Sequence, residues 1–559
     1  MWKGSGKSGF RHLSAGSGNQ VQTRRRIERR EMEVRHLKVL CCMILALFLV
    51  MASCERQSSR RDKDIRKFNV LSEKEMNETK AAKDPSGDAS GIKDATESNG
   101  MDESLYLQQQ QQQQKKLCLY FYDEKANQLS PEVRSVSGWN ENELPRSVIR
   151  ELIRGPGTSG LRPVLPQNVE INDVDYTEDI LSVDLSSEFL KSADPIVARA
   201  ALVNSLLDLG KFKYVKLYVG GKEITTQNGD NDVVLLGLLT QYPNSVPEMK
   251  AYEAQNTEGK DIHKTNLELF FQDERGMYLL PEARAITVAG KSYAEAIVSA
   301  LIKGPVATDQ GYCPTLPKGT TLQKTGAVQR EDGVQGIALY FSKEFRAQFT
   351  GGSTQETAML GSLVYSLTSL PDLNFVKIYY ENEAGSYIDE PVHDVSLKEG
   401  LTKEEFPNRI GRRVRIYYGD PDNMLLVPEY RAVSKSEKDI AVQILSELTS
   451  DPMHSGNVRV IPEDVRQKDI KVQVEKGLAI VNIPSSCLNR KTGRDSDKET
   501  IRDLYAIVNS LTDPMNRSDI TQVQFTVDGK AVKKYKDISL KDTFSMNPAL
   551  IKEGKTQSQ

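Results

Sequence analysis

One four-residue run occurs three times at nearly constant spacing. Pro131-Glu132-Val133-Arg134, Pro281-Glu282-Ala283-Arg284 and Pro428-Glu429-Tyr430-Arg431 recur at intervals of 150 and 147 residues. Each follows an alternating apolar run, starting at Leu117, Leu267 and Val414. Each also precedes Gly155-Pro156, Gly304-Pro305 or Asp451-Pro452, placed 25, 24 and 24 residues after its proline. Three landmarks in register mark an internal triplication, so the fold must be one unit repeated rather than a single large core.

Between these landmarks runs a helical pattern. Val148, Ile149, Leu152 and Ile153 share one helix face, as do Ala296, Ile297, Ala300 and Leu301, and Ile440, Ala441, Ile444, Leu445 and Leu448. Gly-Pro or Asp-Pro then stops the helix, because proline disfavours helical geometry in the residue before it. Leu165-Pro166, Leu316-Pro317 and Ile461-Pro462 open paired alternating segments, 169–176 with 180–185 in the first copy and 470–474 with 478–483 in the third. These predict two strands joined by a short turn. A second helix carries Val203-Asn204-Ser205-Leu206, Val364-Tyr365-Ser366-Leu367 and Val508-Asn509-Ser510-Leu511, and a last strand follows at 214–219, 375–379 and 523–527.

The predicted class is α+β: three tandem β-α-β-β-α-β two-layer modules at 117–224, 266–390 and 413–535. Each would be an open sheet with both helices on one face, and the Pro-Glu-x-Arg run would form a turn after the first strand. Residues 225–265 and 391–412 are expected to be linkers and 536–559 a tail.

Ahead of the modules the sequence changes character. Its long apolar run, 39–52, follows Arg35, His36 and Lys38 and ends in Met51-Ala52-Ser53-Cys54. That is a positive region, a short apolar region and small residues at a cleavage point, and it is shorter than the ~20 apolar residues of a comfortable span. The pattern predicts a signal peptide over 1–53, with Met32 as an alternative start, and lipidation of Cys54 as in a bacterial lipobox. Residues 54–116 would carry the lipidated cysteine and a disordered tether ending in the glutamine run 108–114, a composition that cannot bury enough apolar surface to fold. Ten Lys and Arg against three Asp and Glu in residues 1–53 leave −10 on the remainder of a chain whose total is −3. That balance argues against nucleic acid as a partner.

A repeated module with a repeated activity would carry its reactive residues three times, and almost none recur. His263, His393 and His454 fall at non-equivalent places, and no His-Glu-x-x-His or paired Cys-x-x-Cys occurs, so no metal site is expected. Cys118 in the first strand reads as a core residue, and Cys313 and Cys487 as unpaired. Gly157-Thr158-Ser159-Gly160 lacks the strand-turn-helix context of a nucleophile elbow. Asn228-Gly229-Asp230-Asn231-Asp232 lacks the downstream glutamate of a calcium loop and reads as a solvated turn. The polar pairs that do recur, Glu132 with Arg134, Glu282 with Arg284 and Glu429 with Arg431, read as a structural brace, with a docking pair as the competing reading. Asp184-Leu185-Ser186-Ser187-Glu188-Phe189 matches Tyr340-Phe341-Ser342-Lys343-Glu344-Phe345, but Ile483-Pro484-Ser485-Ser486-Cys487 departs. No catalytic residue and no cofactor is expected, and the chain reads as a non-enzyme.

The strand, Pro-Glu-x-Arg, helix, Gly-Pro, Leu-Pro, Asp-Leu-Ser-x-Glu-Phe and a final strand closed by Gly220-Gly221 or Asp528-Gly529 together resemble the GerMN-domain family. The first copy matches best, while the third lacks the glycine before Pro452 and the Ser-Glu-Phe run. The resemblance implies a lipoprotein of the cell envelope acting in sporulation and spore germination, with tandem domains similar to ring-building modules that assemble side by side. It carries no catalytic residue. It implies partners among envelope or sporulation-complex proteins, at the extracytoplasmic face of the membrane, with the lipid on Cys54 as anchor. The alternative is a lipoprotein that binds cell-wall glycan or peptide, peptidoglycan above all, in a vegetative role, for which Trp139 would be the exposed aromatic.

Overall fold

The computed structural model describes residues 114–552 apart from 138–142, 228–232, 256–261, 290–291, 348–352, 393, 437–438, 489–495, 517 and 537. The expected signal peptide, Cys54, the tether up to residue 113, Trp139, the 228–232 turn and His393 lie outside the described residues.

Each copy opens with a hairpin rather than a single strand. β1 (Gln114–Asp123) pairs antiparallel with β2 (Gln128–Ser137). Asp123 sets the turn by accepting the amide protons of Lys125 and Ala126, and Asn127 closes it at φ 50°. The Pro-Glu-x-Arg run therefore lies within the second strand, which corrects the expected turn. Pro131 is tolerated there because β2 is the edge of a sheet completed by Leu161–Arg162. The strand escaped the periodicity because the residues facing inward beside Leu119 and Leu117 are Glu132 and Arg134, not apolar ones.

The module continues with α1 (Leu144–Arg154), β3 (Ile171–Thr177), β4 (Ile180–Leu185), α2 (Pro195–Leu207) and β5 (Tyr214–Val219). α1 starts on Pro145 and ends at Gly155, whose φ of 86° suits glycine. Asp194 caps α2 by accepting from the amides of Ile196 and Val197. β3 runs antiparallel to β4, and β4 runs parallel to β5 across the α2 crossover. The hairpin and these strands thus form two sheets, in place of the single open sheet expected. Leu117, Leu119 and Phe121 from the hairpin, Val148 and Leu152 from α1, and Leu181, Leu202 and Leu217 share one sealed core.

The second module repeats the plan in β6 (Ile262–Asp273), β7 (Leu279–Ala289), α3 (Tyr293–Lys303), β8 (Leu322–Gln329), β9 (Gln335–Phe341), α4 (Ser353–Leu367), β10 (Phe375–Glu381) and β11 (Tyr387–Ile388). The third does so in β12 (Gly411–Gly419), β13 (Leu426–Ser434), α5 (Ile440–Leu448), β14 (Lys471–Glu475), β15 (Leu478–Ile483), α6 (Ser496–Thr512) and β16 (Gln522–Val527). Lacking the glycine, α5 ends at Thr449 in right-handed geometry.

The described parts of the stretches expected to be linkers and tail are folded onto the modules. Leu236, Leu239, Tyr242 and Met249 join the first core, Val392, Leu397, Leu401 and Phe406 the second, and Ile538 and Leu540 the third. Each stretch returns past its own hairpin: Leu129 donates its amide to Asn244, Leu279 to Arg409, and Lys552 to Leu426. Asn204 exchanges hydrogen bonds of 3.0 and 2.8 Å with the Tyr242 backbone, and Asn509 ones of 3.1 and 2.9 Å with that of Asn547. The Tyr365 hydroxyl donates to the Phe406 carbonyl at 3.1 Å. Apart from the helix Val246–Gln255, whose inward Val246 and Met249 are three residues apart, their buried residues come singly or in short groups without a strand or helix period, which hid them in the sequence. All described residues belong to one compact unit, and no described helix is long and apolar enough to cross a membrane.

Candidate functional site

The recurring Glu-Arg pairs are one clamp built three times. Arg134 Nη2 donates to Glu132 Oε1 at 2.6 Å, Nη1 donates to Glu151 Oε2 at 2.7 Å, and the guanidinium also reaches the Gly155 carbonyl at the end of α1. Glu132 accepts from the amides of Gly157 and Thr158 at 3.0 and 2.8 Å. Arg284 likewise binds Glu282 at 2.6 Å and the Gly304 carbonyl at 3.0 Å, and Glu282 accepts from Val306 and Ala307 at 2.8 and 3.0 Å. Arg431 binds Glu429 at 2.9 Å and the Asp451 carbonyl at 2.8 Å. Glu429 accepts from the amides of Met453 and His454 at 3.0 and 3.2 Å and from the Asn457 side chain at 2.8 Å.

The physical logic is the same in each copy. The last carbonyls of a helix have no partner within it and lie at its negative end, where a guanidinium satisfies them; the amides just past the proline are orphans that a carboxylate satisfies. The arginines also lie 5.3, 5.8 and 5.4 Å from the rings of Phe121, Phe271 and Tyr418. Burial alone would raise the pKa of Glu132, but hydrogen bonds from Thr158, Arg134 and Gly157 outweigh it and bring it down to about 2. Both oxygens of this carboxylate are engaged by the protein itself.

A serine marked in the sequence only as part of a helix is a second repeated brace. Ser205 Oγ accepts the Tyr120 amide at 2.9 Å, Ser366 Oγ that of Phe270 at 3.0 Å, and Ser510 Oγ that of Tyr417 at 3.0 Å, pinning α2, α4 and α6 to their hairpins. Its recurrence at one place in three copies was the signal that could have found it. The matched Asp184-to-Phe189 run is internal too: Asp184 accepts from Gly221 at 3.1 Å, and Ser186 and Ser342 accept from the amides of Glu170 and Thr321 at 3.0 and 3.1 Å. Asn482 takes the place of Asp184 in the third module, accepting from Gly529 at 2.6 Å.

Other singled-out residues do not converge. Cys118 is half-buried at the margin of the first core, opposite exposed Val133, because it points away from Leu117 and Leu119; it is not the core residue expected. Cys487 is the one buried in a core, that of the third module, while Cys313 is half-buried. His263 lies on β6 opposite Val288, and His454 is exposed. Among the described residues no group of three His, Cys, Asp or Glu is placed to hold a metal ion. A depression of about 430 Å³ on the third module is lined by Asp464, Lys468, Asp469, Lys471, Asn482 and Asp528, of which Asn482 and Asp528 already accept from the amides of Gly529 and Ser485.

Among the described residues, contacts that occur once join the modules. Lys216 of β5 lies 3.2 Å from Glu268 on β6 and 3.5 Å from Glu223, with 4% of its side chain exposed. Burial would depress its pKa, but the two carboxylates hold it above the ordinary value. Arg275 bonds to Glu447 at 3.1 Å and to the Ala432 carbonyl at 2.6 Å, joining the second module to the third. Arg413 of β12 meets both other modules. Its amide and Nε donate to Glu178 at 2.7 and 2.9 Å, its Nη1 donates to Gln310 at 2.6 Å, and its guanidinium lies 4.8 Å from the Tyr312 ring. Glu178 forms the β3–β4 turn at φ 56°.

The family model described as sporulation and spore germination matches residues 118–225, 268–385 and 415–533. Among solved structures, the tandem GerMN domains of the sporulation protein GerM from Bacillus subtilis share 21% identity over 52% of this chain and 100% of that chain, with a TM-score of 0.21. The first GerMN domain of the same protein shares 19% over 20% of this chain and 86% of that chain, with a TM-score of 0.17. A putative lipoprotein from Clostridium perfringens shares 20% over 22% of this chain and 87% of that chain, with a TM-score of 0.15. No curated protein matches the chain significantly. With more than half of its residues covered by the family model, in three successive stretches, the chain belongs to the Germane, or GerMN-domain, family of sporulation and spore germination.

Proposed function

We propose that this is a lipid-anchored protein at the extracytoplasmic face of the cell membrane, acting in sporulation and spore germination by assembling or localising a membrane-associated complex through three non-catalytic modules. The observation that carries the reading is the internal engagement of the recurring polar residues: in every copy the Glu-Arg clamp and the serine pin bind the main chain of their own module. A repeated enzyme would keep a repeated polar group facing open space. What the modules present instead is sheet face and strand edge, surfaces suited to protein contact in the manner of ring-building modules. Family membership supplies the process.

The anchor is Cys54, behind Met51-Ala52-Ser53. Buried acyl methylenes are worth ~0.8 kcal/mol each, so several chains hold stably. A flexible tether of ~60 residues would reach ~40–50 Å and hold the modules off the membrane. Deleting the gene, and separately making Cys54→Ala, should each lower the yield of heat-resistant spores, and Cys54→Ala should move the protein from the detergent to the aqueous phase. Normal spore yield from the deletion would refute the sporulation role, and unchanged partitioning would refute the anchor.

A further inference from the structure

The joint between the first and second modules has a counterpart on the second. On β5, Val215 and Leu217 enter the first core, so Lys216 and Tyr218 lie on the opposite face of the sheet, the ammonium 5.6 Å from the ring. On β10, Val376 and Ile378 enter the second core, and Lys377 and Tyr379 lie on the opposite face, 5.7 Å apart in the same sense. The register makes them equivalent: Tyr218 pairs in parallel with Asp184 as Tyr379 does with Tyr340, two positions that head the same matched run.

In the first module this face is filled by the hairpin strand of its neighbour. Glu268 of β6 reaches Lys216 at 3.2 Å, and the Asn266 side chain donates to the Leu238 carbonyl at 3.4 Å. In the second module this face is covered by Arg330 and Gly400 at its Phe375 end, whereas at its Tyr379 end Tyr340, Lys377 and Tyr379 are half-buried and Lys324 is exposed. Tyr340 and Tyr379 stack at 4.8 Å, and Tyr387 meets Tyr340 edge-on at 5.1 Å with 38% of its surface exposed. Lys324 lies 4.2 Å over Tyr340 and 5.1 Å over Tyr387. Neither Lys324 nor Lys377 has a carboxylate partner among the described residues. Two unpaired ammonium groups on an aromatic cluster form a surface complementary to an anionic strand.

We propose that the Lys377–Tyr379 face docks a carboxylate-bearing β-hairpin of a separate protein, as the Lys216–Tyr218 face docks the hairpin that carries Glu268. The proposal rests on reading the modules as protein-interaction modules. A second molecule of this chain does not supply the hairpin: the residues equivalent to Glu268, opposite Val133 and Tyr430, are Cys118 and Arg415, and Glu268 itself is bound to Lys216.

The test is zero-length carbodiimide coupling of amines to carboxylates in membranes carrying the full chain, with the joined residues assigned by mass spectrometry. The exposed Lys343–Glu383 pair of the same module, 3.4 Å apart, is the internal control. The expected product joins Lys377 or Lys324 to an Asp or Glu in a strand of another protein. Its amount should fall about tenfold in Tyr379→Ala and in the edge variant Tyr387→Ser. Control coupling with none at Lys377 or Lys324 overturns the proposal. So does coupling only within this chain or to a second molecule of it, or coupling undiminished in both variants. A sporulation defect on deletion without this coupling would remove the docking face and leave the role; coupling with normal spore yield would do the reverse.

Discussion

The Glu429–Arg431 clamp and the Glu178–Arg413 joint use the same chemistry for different ends. Both bury an arginine against a carboxylate beside an aromatic ring, with side chains 1% and 3% exposed in the clamp and 6% and 11% in the joint. The clamp's partners are two residues apart in sequence, and the joint's are 235 apart. The clamp recurs in each module and ties a strand to the end of the helix that follows it; the joint occurs once and ties the third module to the first. Recurrence, not residue type, separates what holds a module together from what holds modules to each other. Since a buried ion pair is weak evidence of net stabilisation but strongly destabilising when half removed, single substitutions at the two places should differ in what they break.

The largest effect is expected at the most buried clamp. Arg431→Ala leaves Glu429 uncompensated and should lower the stability of the third module by about 3–5 kcal/mol in urea unfolding. A loss below about 1 kcal/mol would reduce the clamp to an ordinary surface pair. Arg134→Ala, at a side chain 16% exposed, should cost less, about 1–3 kcal/mol in the same measurement.

The acid response sharpens the contrast further. Glu132 is held down from 4.5 to about 2, so the stability it lends is full above its ordinary value and is lost as pH falls from 4.5 towards 2. Glu132→Gln should therefore be less stable than the parent at pH 7, with the gap closing across that window in pH-dependent unfolding. A gap that stays constant to pH 2 would break the assignment. The smallest effect belongs to Asn204→Ala, which frees the return segment at Tyr242 and should cost about 1 kcal/mol while speeding exchange of the Tyr242 amide.

Much of the module was legible because three copies overlay the same weak signals. Pro131, Pro281 and Pro428 fix the register, the helix faces follow by spacing, and the glycine before Pro156 and Pro305 marks a real helix end. β2 was not legible, since its inward positions are occupied by Glu132 and Arg134. The clamp's purpose was only half legible: its other partners are the Gly155 carbonyl and the Thr158 amide, and backbone groups leave no mark in a sequence. Arg413 and Glu178 have no recurring pattern at all, and Tyr340, Tyr379 and Tyr387 come from three separate strands that only the fold brings together.

Hydrogen exchange of the full chain carrying Arg413→Met separates joints from clamps most directly. Exchange should rise in the β3–β4 hairpin around Glu178 and near Tyr312, which both lose their contact with Arg413. The clamp amides of Gly157, Thr158, Val306 and Ala307 should stay as protected as in the parent. Unchanged exchange around Glu178, or clamp amides that open together with the joint, would contradict the division between residues that brace a module and residues that join one module to the next.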